Sequence, residues 1–141
     1  MARLHIHINT EAKAFEPAVS YYSTLFNAAP DKLKADYAKW SLQDPAVNFV
    51  LEPVHGSCSE AGIHHLGIEV DNREAISAIQ ERLEKSGAET MNIGKTNCCY
   101  SLSEKFWSRA PSGQRWEIFR SFADTDEYGC LKQSEIQNYS E

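Results

Sequence analysis

Two adjacent cysteines, Cys98 and Cys99, are the residues whose type and spacing most directly require a chemical explanation. Adjacent Cα atoms lie about 3.8 Å apart, whereas ordinary disulfides join Cα atoms about 4.4–6.8 Å apart. The two side chains are therefore poor disulfide partners, and we expect free thiols. The alternative is that both are small residues at the start of a strand. Two further cysteines, Cys58 and Cys130, lie in a predicted loop and tail, where they either assist the pair or are bystanders.

Three other residues could form a metal site. Alternating patterns place His5 and His65 on the polar faces of two strands and Glu117 on a third. If these faces line one cup, the three side chains can converge as two imidazoles and one carboxylate, a set that suits non-haem Fe(II). The alternative is ordinary solvated polar surface. His64 leaves the choice of ligand ambiguous, but His65 matches His5 in register and in the repeat described next.

The elements that must position these residues occur twice. The segment His5–Asn9 is matched 60 residues later by His65–Glu69, and a helix follows each after about nine residues. Strand, helix and further antiparallel strands, twice over, predict an α+β fold. In the predicted fold, two βαβββ modules pair into an open, cup-shaped barrel with helices outside. The modules span about residues 1–54 and 62–122. The predicted helices begin near Phe15 and after Asn72, and the predicted strands are 3–10, 37–42, 47–51, 63–70, 90–93, 100–109 and 114–120.

Composition restricts the class of protein. The 141 residues carry a net charge of −6, which argues against binding to nucleic acid or an anionic membrane surface. The N-terminus has no long apolar stretch, and no apolar run approaches the roughly 20 residues that cross a bilayer, so we expect a cytoplasmic protein. Residues 123–141 read as a polar C-terminal tail, with a short helix around 131–139.

The paired modules resemble the vicinal oxygen chelate superfamily, which includes glyoxalase I, extradiol dioxygenases and bleomycin-resistance proteins. The resemblance spans about residues 1–122. It lies in His-x-x-Ile of the first strand, in His-Leu-Gly-Ile-Glu-Val at 65–70 and in Pro-Ser-Gly-Gln-Arg-Trp-Glu-Ile-Phe at 111–119. Within it, Thr-Asn-Cys-Cys-Tyr at 96–100 and Lys-Phe-Trp at 105–107 resemble the branch of cadmium-induced proteins and organoarsenical carbon–arsenic lyases.

That resemblance implies a function in arsenic and heavy-metal resistance. The metal ligands would be His5, His65 and Glu117, and Cys98 and Cys99 would bind arsenic, because thiolates are the soft ligands that trivalent arsenic and cadmium prefer. The activity would be Fe(II)-dependent cleavage of methyl- or arylarsenite with dioxygen. Relatives can carry Gln at the first ligand position, where this chain has His5. The thiols can chelate together only outside a regular strand, so we expect a loop or bulge over 94–99. Proton transfer is open among His7, Glu69 and Tyr100.

Two alternatives remain open at this point. One is a protein that binds cadmium or arsenic without catalysis. The other is a glyoxalase-like metalloenzyme with Ni or Zn, in which Asn48 or Glu52 would supply a fourth ligand. Members of the superfamily often form homodimers, although no segment of this sequence marks an interface.

Overall fold

The computed structural model describes residues 2–54 and 60–129, and side chains outside 93–102 and 122–129. The first half contains a strand, a short 3-10 helix, an α-helix and three more strands. Their bounds are β1 Arg3–Thr10, α1 Phe15–Phe26, β2 Lys32–Lys34, β3 Tyr37–Gln43 and β4 Ala46–Pro53. The predicted tail segment 131–139, Cys58 and Cys130 lie outside the described residues.

The second half begins the same order again with β5 Gly62–Glu69, α2 Arg73–Lys85, β6 Glu89–Arg109 and β7 Arg115–Gly129. The Asn72 side chain caps α2 by accepting a hydrogen bond from the backbone N–H of Ala75 at 2.8 Å. Gly87 follows the helix with a φ of +84°, a conformation that glycine adopts without strain. Both helix boundaries therefore follow from local side-chain and backbone chemistry.

The described strands form one seven-stranded sheet in the order β2-β3-β4-β1-β5-β7-β6. At its centre β1 and β5 run antiparallel and join the two halves, while β4 is parallel to β1 and β7 is parallel to β5. Each half thus places its last strand beside its own first strand. This symmetry brings polar residues of the four central strands to one face.

The other face of the sheet is covered by the helices. Phe15 of α1 packs with Trp40, Phe49 and Leu51, and Ile76 of α2 packs with Ile118. Because side chains alternate along a strand, the neighbours of these residues point away from the helices. The predicted α+β fold, with an open sheet and the helices outside, is confirmed. No described helix is both long and apolar enough to cross a membrane.

The element β6 includes both of the strands expected at 90–93 and 100–109. It is not extended throughout, because the Ser108 hydroxyl donates a hydrogen bond to the backbone oxygen of Glu89 at 2.8 Å although 19 residues separate the two. The chain therefore reverses direction between Glu89 and Ser108, in the interval that contains the loop or bulge expected over 94–99. The pairing of β6 with β7 also shifts register between Cys99 and Ser101. Strand β7 continues to Gly129, beyond its predicted end.

Candidate metal centre

His5, His65 and Glu117 converge on one point of the cup. The two Nε2 atoms are 3.1 Å apart, and each is 3.7 Å from Oε1 of Glu117. All three residues are buried, with 4–6% of their surface exposed. Metal–nitrogen and metal–oxygen bonds of about 2.0–2.2 Å place neighbouring ligands about 3.0–3.5 Å apart. The 3.1 Å separation falls in this range and the two 3.7 Å separations lie slightly above it, so a small shift of the Glu117 carboxylate would give the spacing that a single divalent ion requires.

The ring of His5 is oriented by the neighbouring strand. Its Nδ1 lies 3.0 Å from the backbone oxygen of Asn48 and 3.1 Å from the Asn48 side-chain oxygen. Since a carbonyl oxygen only accepts, Nδ1 carries the proton and Nε2 keeps its lone pair for a ligand. Asn48, a candidate fourth ligand by sequence, contacts the Nδ1 side of the His5 ring and is a positioning residue.

A β-bulge separates His64 from His65. Pairing between β1 and β5 joins His7 to His65 and then Ile8 to Ile63, so that His64 is the extra residue. Nδ1 of His64 lies 2.7 Å from Nδ1 of His65. His64 therefore contacts the Nδ1 side of the His65 ring, opposite the Nε2 atom that faces His5 and Glu117.

Glu117 is held on its other side by a buried cation. Nζ of Lys105 lies 2.5 Å from Oε2, while Oε1 faces the two histidines. The ion pair uses one carboxylate oxygen and leaves the other for a metal. Lys105 belongs to the sequence motif at 105–107, but its role as a partner of Glu117 was not foreseen from the sequence. Its position on a strand next to that of Glu117 is a tertiary feature.

Gly67 allows the strands beneath the site to approach closely. A Cβ at this position would lie 2.4 Å from the backbone oxygen of Glu117 and 3.2 Å from Cδ2 of His5. We expect Gly67→Ala to destabilise the protein by about 1–3 kcal/mol, because the backbone must move to admit the methyl group. Urea denaturation measures this loss, and metal titration of the folded fraction should show weaker binding. An unchanged denaturation midpoint would contradict the close approach.

His7 lies in the same cup but has different partners. Its Nε2 is 2.7 Å from Oε1 of Glu52 and 3.2 Å from the side-chain oxygen of Asn9, and all three residues are buried. Ring nitrogens of His5, His7 and His65 also come within 4.8 Å of one another, so a three-histidine ligand set overlaps the predicted triad. Glu52 contacts His7 rather than the convergence point. Asn48 and Glu52, two polar residues on one face of an otherwise apolar strand sequence, were the sequence signal for this second polar cluster.

Burial keeps the histidines neutral. Desolvation lowers the pKa of His5 and of His64 to about 4 and holds the pKa of His65 well below its usual value. Burial raises the pKa of Glu117. The opposing effects of Lys105 and the two histidines are larger together, so the pKa of Glu117 lies well below 4.5. Neutral imidazoles beside an ionised carboxylate are the protonation states that a metal needs.

These pKa values predict how the metal-free protein responds to acid. An unfolded chain binds protons on its histidines near pH 6.5, whereas folded His5 and His64 resist them until about pH 4. The unfolded state therefore gains protons first, and the free energy of unfolding should fall by up to about 1.4 kcal/mol per pH unit per histidine between these values. Above pH 6.5 the neutral histidines make their full contribution to the free energy of unfolding. Denaturation across this range should give a shallower slope for His5→Gln, and an equal slope would contradict the assignment.

A small cavity of about 40 Å³ lies against these ligands. A water molecule takes about 30 Å³ in the liquid, so the cavity can hold one or two molecules of about the size of water. Lysine, serine and tyrosine side chains join the histidines and Glu117 in its lining, among them Tyr37, Lys39 and Ser103. The chemistry of the donor set and the adjoining space together fit a divalent metal with an open coordination position.

The remaining predicted site residues are not gathered here. Glu69 lies with its Oε1 3.4 Å from Arg3 in an ion pair and does not line this cavity. The backbone of Cys98 and Cys99 runs in β6, and their side chains and that of Tyr100 lie outside the described ones. The predicted thiol site therefore stays a prediction.

Comparison with known proteins gives relatives over most of the chain. The cadmium-induced protein CadI of Mycobacterium tuberculosis is 34% identical over 129 residues, which are 92% of this chain and 82% of CadI. A trivalent organoarsenical cleaving enzyme of Bacillus sp. MD1 is 35% identical over 127 residues, 87% of this chain and 76% of that enzyme. The chain belongs to this family of cadmium-induced and organoarsenical-cleaving proteins. The expected branch of the superfamily is thereby confirmed.

Solved structures extend the likeness to the fold. A glyoxalase/bleomycin resistance/dioxygenase superfamily member from Vibrio splendidus has a TM-score of 0.56 at 11% identity and covers 86% of this chain and 100% of that one. A Mn(II)-bound glyoxalase from Novosphingobium aromaticivorans has a TM-score of 0.59 at 16% identity, over 94% of this chain and 42% of that one. No family model matches the chain.

Proposed function

We propose that this member of the family is an Fe(II)-dependent dioxygenase that uses dioxygen to cleave the carbon–arsenic bond of trivalent organoarsenicals, such as methyl- or arylarsenite, and releases arsenite and an oxidised carbon fragment. The observation that carries the proposal is the buried convergence of His5, His65 and Glu117 at 3.1–3.7 Å. The relatives named as organoarsenical cleaving enzymes support the substrate class. Its place would be in arsenic and heavy-metal resistance in the cytoplasm.

In this proposal His5, His65 and Glu117 hold the ion, and Ni, Zn and Cd are the alternative metals. Bound Fe(II) supplies the redox chemistry that lets dioxygen react with a carbon–arsenic bond. Asn48 and His64 fix the ligand rings, and Lys105 restrains Glu117 so that one carboxylate oxygen faces the ion. The protein thereby orients the ligand side chains and provides a restricted cavity. His7, which lies in the same cup, is a candidate for proton transfer.

The thiols of Cys98 and Cys99 would hold the substrate through its arsenic atom. Cys99 precedes Lys105 by six residues on β6, which corresponds to about 20 Å of extended strand. Delivery of the arsenical to the cup therefore requires β6 to bend over the site. Register shifts between Cys99 and Ser101 and between Leu102 and Ser103 interrupt the pairing of β6 with β7 in this interval. Fewer regular ladder bonds make this the part of β6 that bends most readily.

The test is an assay of arsenite release under controlled oxygen. The protein is loaded anaerobically with Fe(II), given methylarsenite, and divided into samples with and without oxygen. We expect arsenite only with oxygen and only after metal loading. Tight binding of methylarsenite without oxygen-dependent release of arsenite would contradict the enzyme proposal.

A second candidate function is sequestration of cadmium or arsenic without catalysis. The relative named for cadmium induction, at 34% identity, favours it. Under this candidate the protein would bind cadmium tightly, and the same oxygen assay would release no arsenite. The two functions therefore give opposite results in one experiment.

A further inference from the structure

Two aromatic side chains and a valine form part of the wall of the cup. Tyr37, Val50 and Phe119 are buried and line the same cavity of about 40 Å³ as the metal ligands. The ring of Phe119 makes an edge contact with the ring of His5, with the ring centroids 5.1 Å apart. Phe119 follows Glu117 by two residues on β7, so both side chains point to the same face of the sheet. The wall therefore begins directly beside the ligands.

The volume of this cavity separates small groups from large ones. A cavity of about 150 Å³ binds benzene, whereas the cavity of about 40 Å³ in the cup holds one or two molecules of the size of water. A methyl group is close in size to a water molecule. The space beside the ligands therefore admits a methyl group and excludes a benzene ring.

The reacting carbon of an arsenical has to enter this space. It must come within about 3–3.5 Å of the group with which it reacts, and the ligands that hold the ion are buried. In methylarsenite this carbon is a methyl group. In phenylarsenite it belongs to a ring, and it cannot enter without the two ring carbons that are bonded to it. The wall of the cup therefore meets the ring before the reacting carbon reaches the ion.

We propose that the cup selects methylarsenite over phenylarsenite and that Phe119 sets the size limit. Selection between arsenicals rests on the proposed function, whereas the size limit is a property of the cavity. Among the described wall residues, Phe119 is in direct ring contact with a ligand, so its own phenyl ring fills space next to His5. A smaller side chain at position 119 would make that space available to the substrate.

The size limit is tested by the ratio of kcat/KM for phenylarsenite to that for methylarsenite, measured as arsenite release under oxygen. Misplacement of a substrate by 1 Å costs about 100-fold in rate, so we expect a ratio of about 0.01 or less. Phe119→Ala should raise the ratio by about 10-fold or more. Phe119→Leu, with a side chain of intermediate size, gives the same test if Phe119→Ala does not fold. A ratio near one in the unaltered protein would overturn the size limit.

Phe106 provides the matched control. It is as buried as Phe119 but packs with Ile76 and Ile118 beneath α2, on the other face of the sheet. Phe106→Leu removes the same volume as Phe119→Leu and should leave the ratio at the value of the unaltered protein. An equal rise of the ratio in both variants would show that loosened packing admits the ring, and it would overturn the role of Phe119.

A measurement without arsenic keeps this inference separate from the proposed function. Azide or imidazole is added to Co(II)-loaded protein, and binding is followed in the Co(II) absorption spectrum. The three-atom azide should bind to the unaltered protein, whereas imidazole should bind several-fold more tightly to Phe119→Leu than to the unaltered protein or Phe106→Leu. Equal imidazole affinities in all three proteins would overturn the size limit. The expected imidazole result, without arsenite release from either arsenical, would support the size limit and contradict the proposed function.

Discussion

Serine at Cys98 or at Cys99 is expected to abolish turnover of methylarsenite while Fe(II) binding remains. A hydroxyl is a poor ligand for trivalent arsenic, so each variant would lose half of the chelating pair. A substrate that is no longer held in place costs about 100-fold or more in rate. The measurement is arsenite release under oxygen, together with Fe(II) binding of the same samples.

Cys58 provides the matched control for the thiol experiment. Cys58→Ser removes one thiol from the chain but leaves the adjacent pair intact, and it should retain most of the activity. Full activity in both Cys98→Ser and Cys99→Ser would show that the arsenical is bound elsewhere. Loss of Fe(II) binding in these variants would instead mean that β6 supports the metal centre directly.

Loss of the carboxylate at Glu117 is the second change with a large expected effect. Replacing even an outer partner of a metal ligand commonly costs about 10–100-fold in affinity. Glu117→Ala should therefore weaken Fe(II) binding by more than about 100-fold and remove turnover. It also leaves Lys105 buried without its carboxylate, so the free energy of unfolding is measured alongside.

His7→Ala is the matched contrast, because His7 and Glu117 are equally buried and each completes a ligand set with His5 and His65. If the triad contains Glu117, His7→Ala keeps most of the metal affinity. Retained affinity in Glu117→Ala, with loss in His7→Ala, would assign the ion to the three histidines instead. The spectrum of bound Co(II) provides a readout that does not depend on activity.

The bulge at His64 shows why a sequence repeat is an incomplete guide to a site. The repeat favours His65 over His64, and the structure places Nε2 of His65 3.1 Å from Nε2 of His5. It does not foresee that the extra residue places a second imidazole behind the ligand. Bulges change the direction of one side chain without a strong compositional signal, so pairing must be known before such a contact can be assigned.

Sequence patterns predicted the alternating strands, both helices and the polar face on which His5, His65 and Glu117 lie. These features depend on periodicity and capping within a few residues of each position, as at Asn72. The fold class followed from these patterns and from the repeat, whereas the family came from the resemblance of the motifs at 65–70, 96–100, 105–107 and 111–119.

Which polar residues come into contact depends on how the strands pair in the folded sheet. The pairing of Asn48 with His5, Lys105 with Glu117 and Glu52 with His7 joins strands that are distant in sequence. The reversal of the chain within β6, which brings the Ser108 hydroxyl to the backbone oxygen of Glu89, likewise joins residues that are distant in sequence. Strand register and side-chain burial are properties of the assembled sheet, so they cannot be predicted from local propensity.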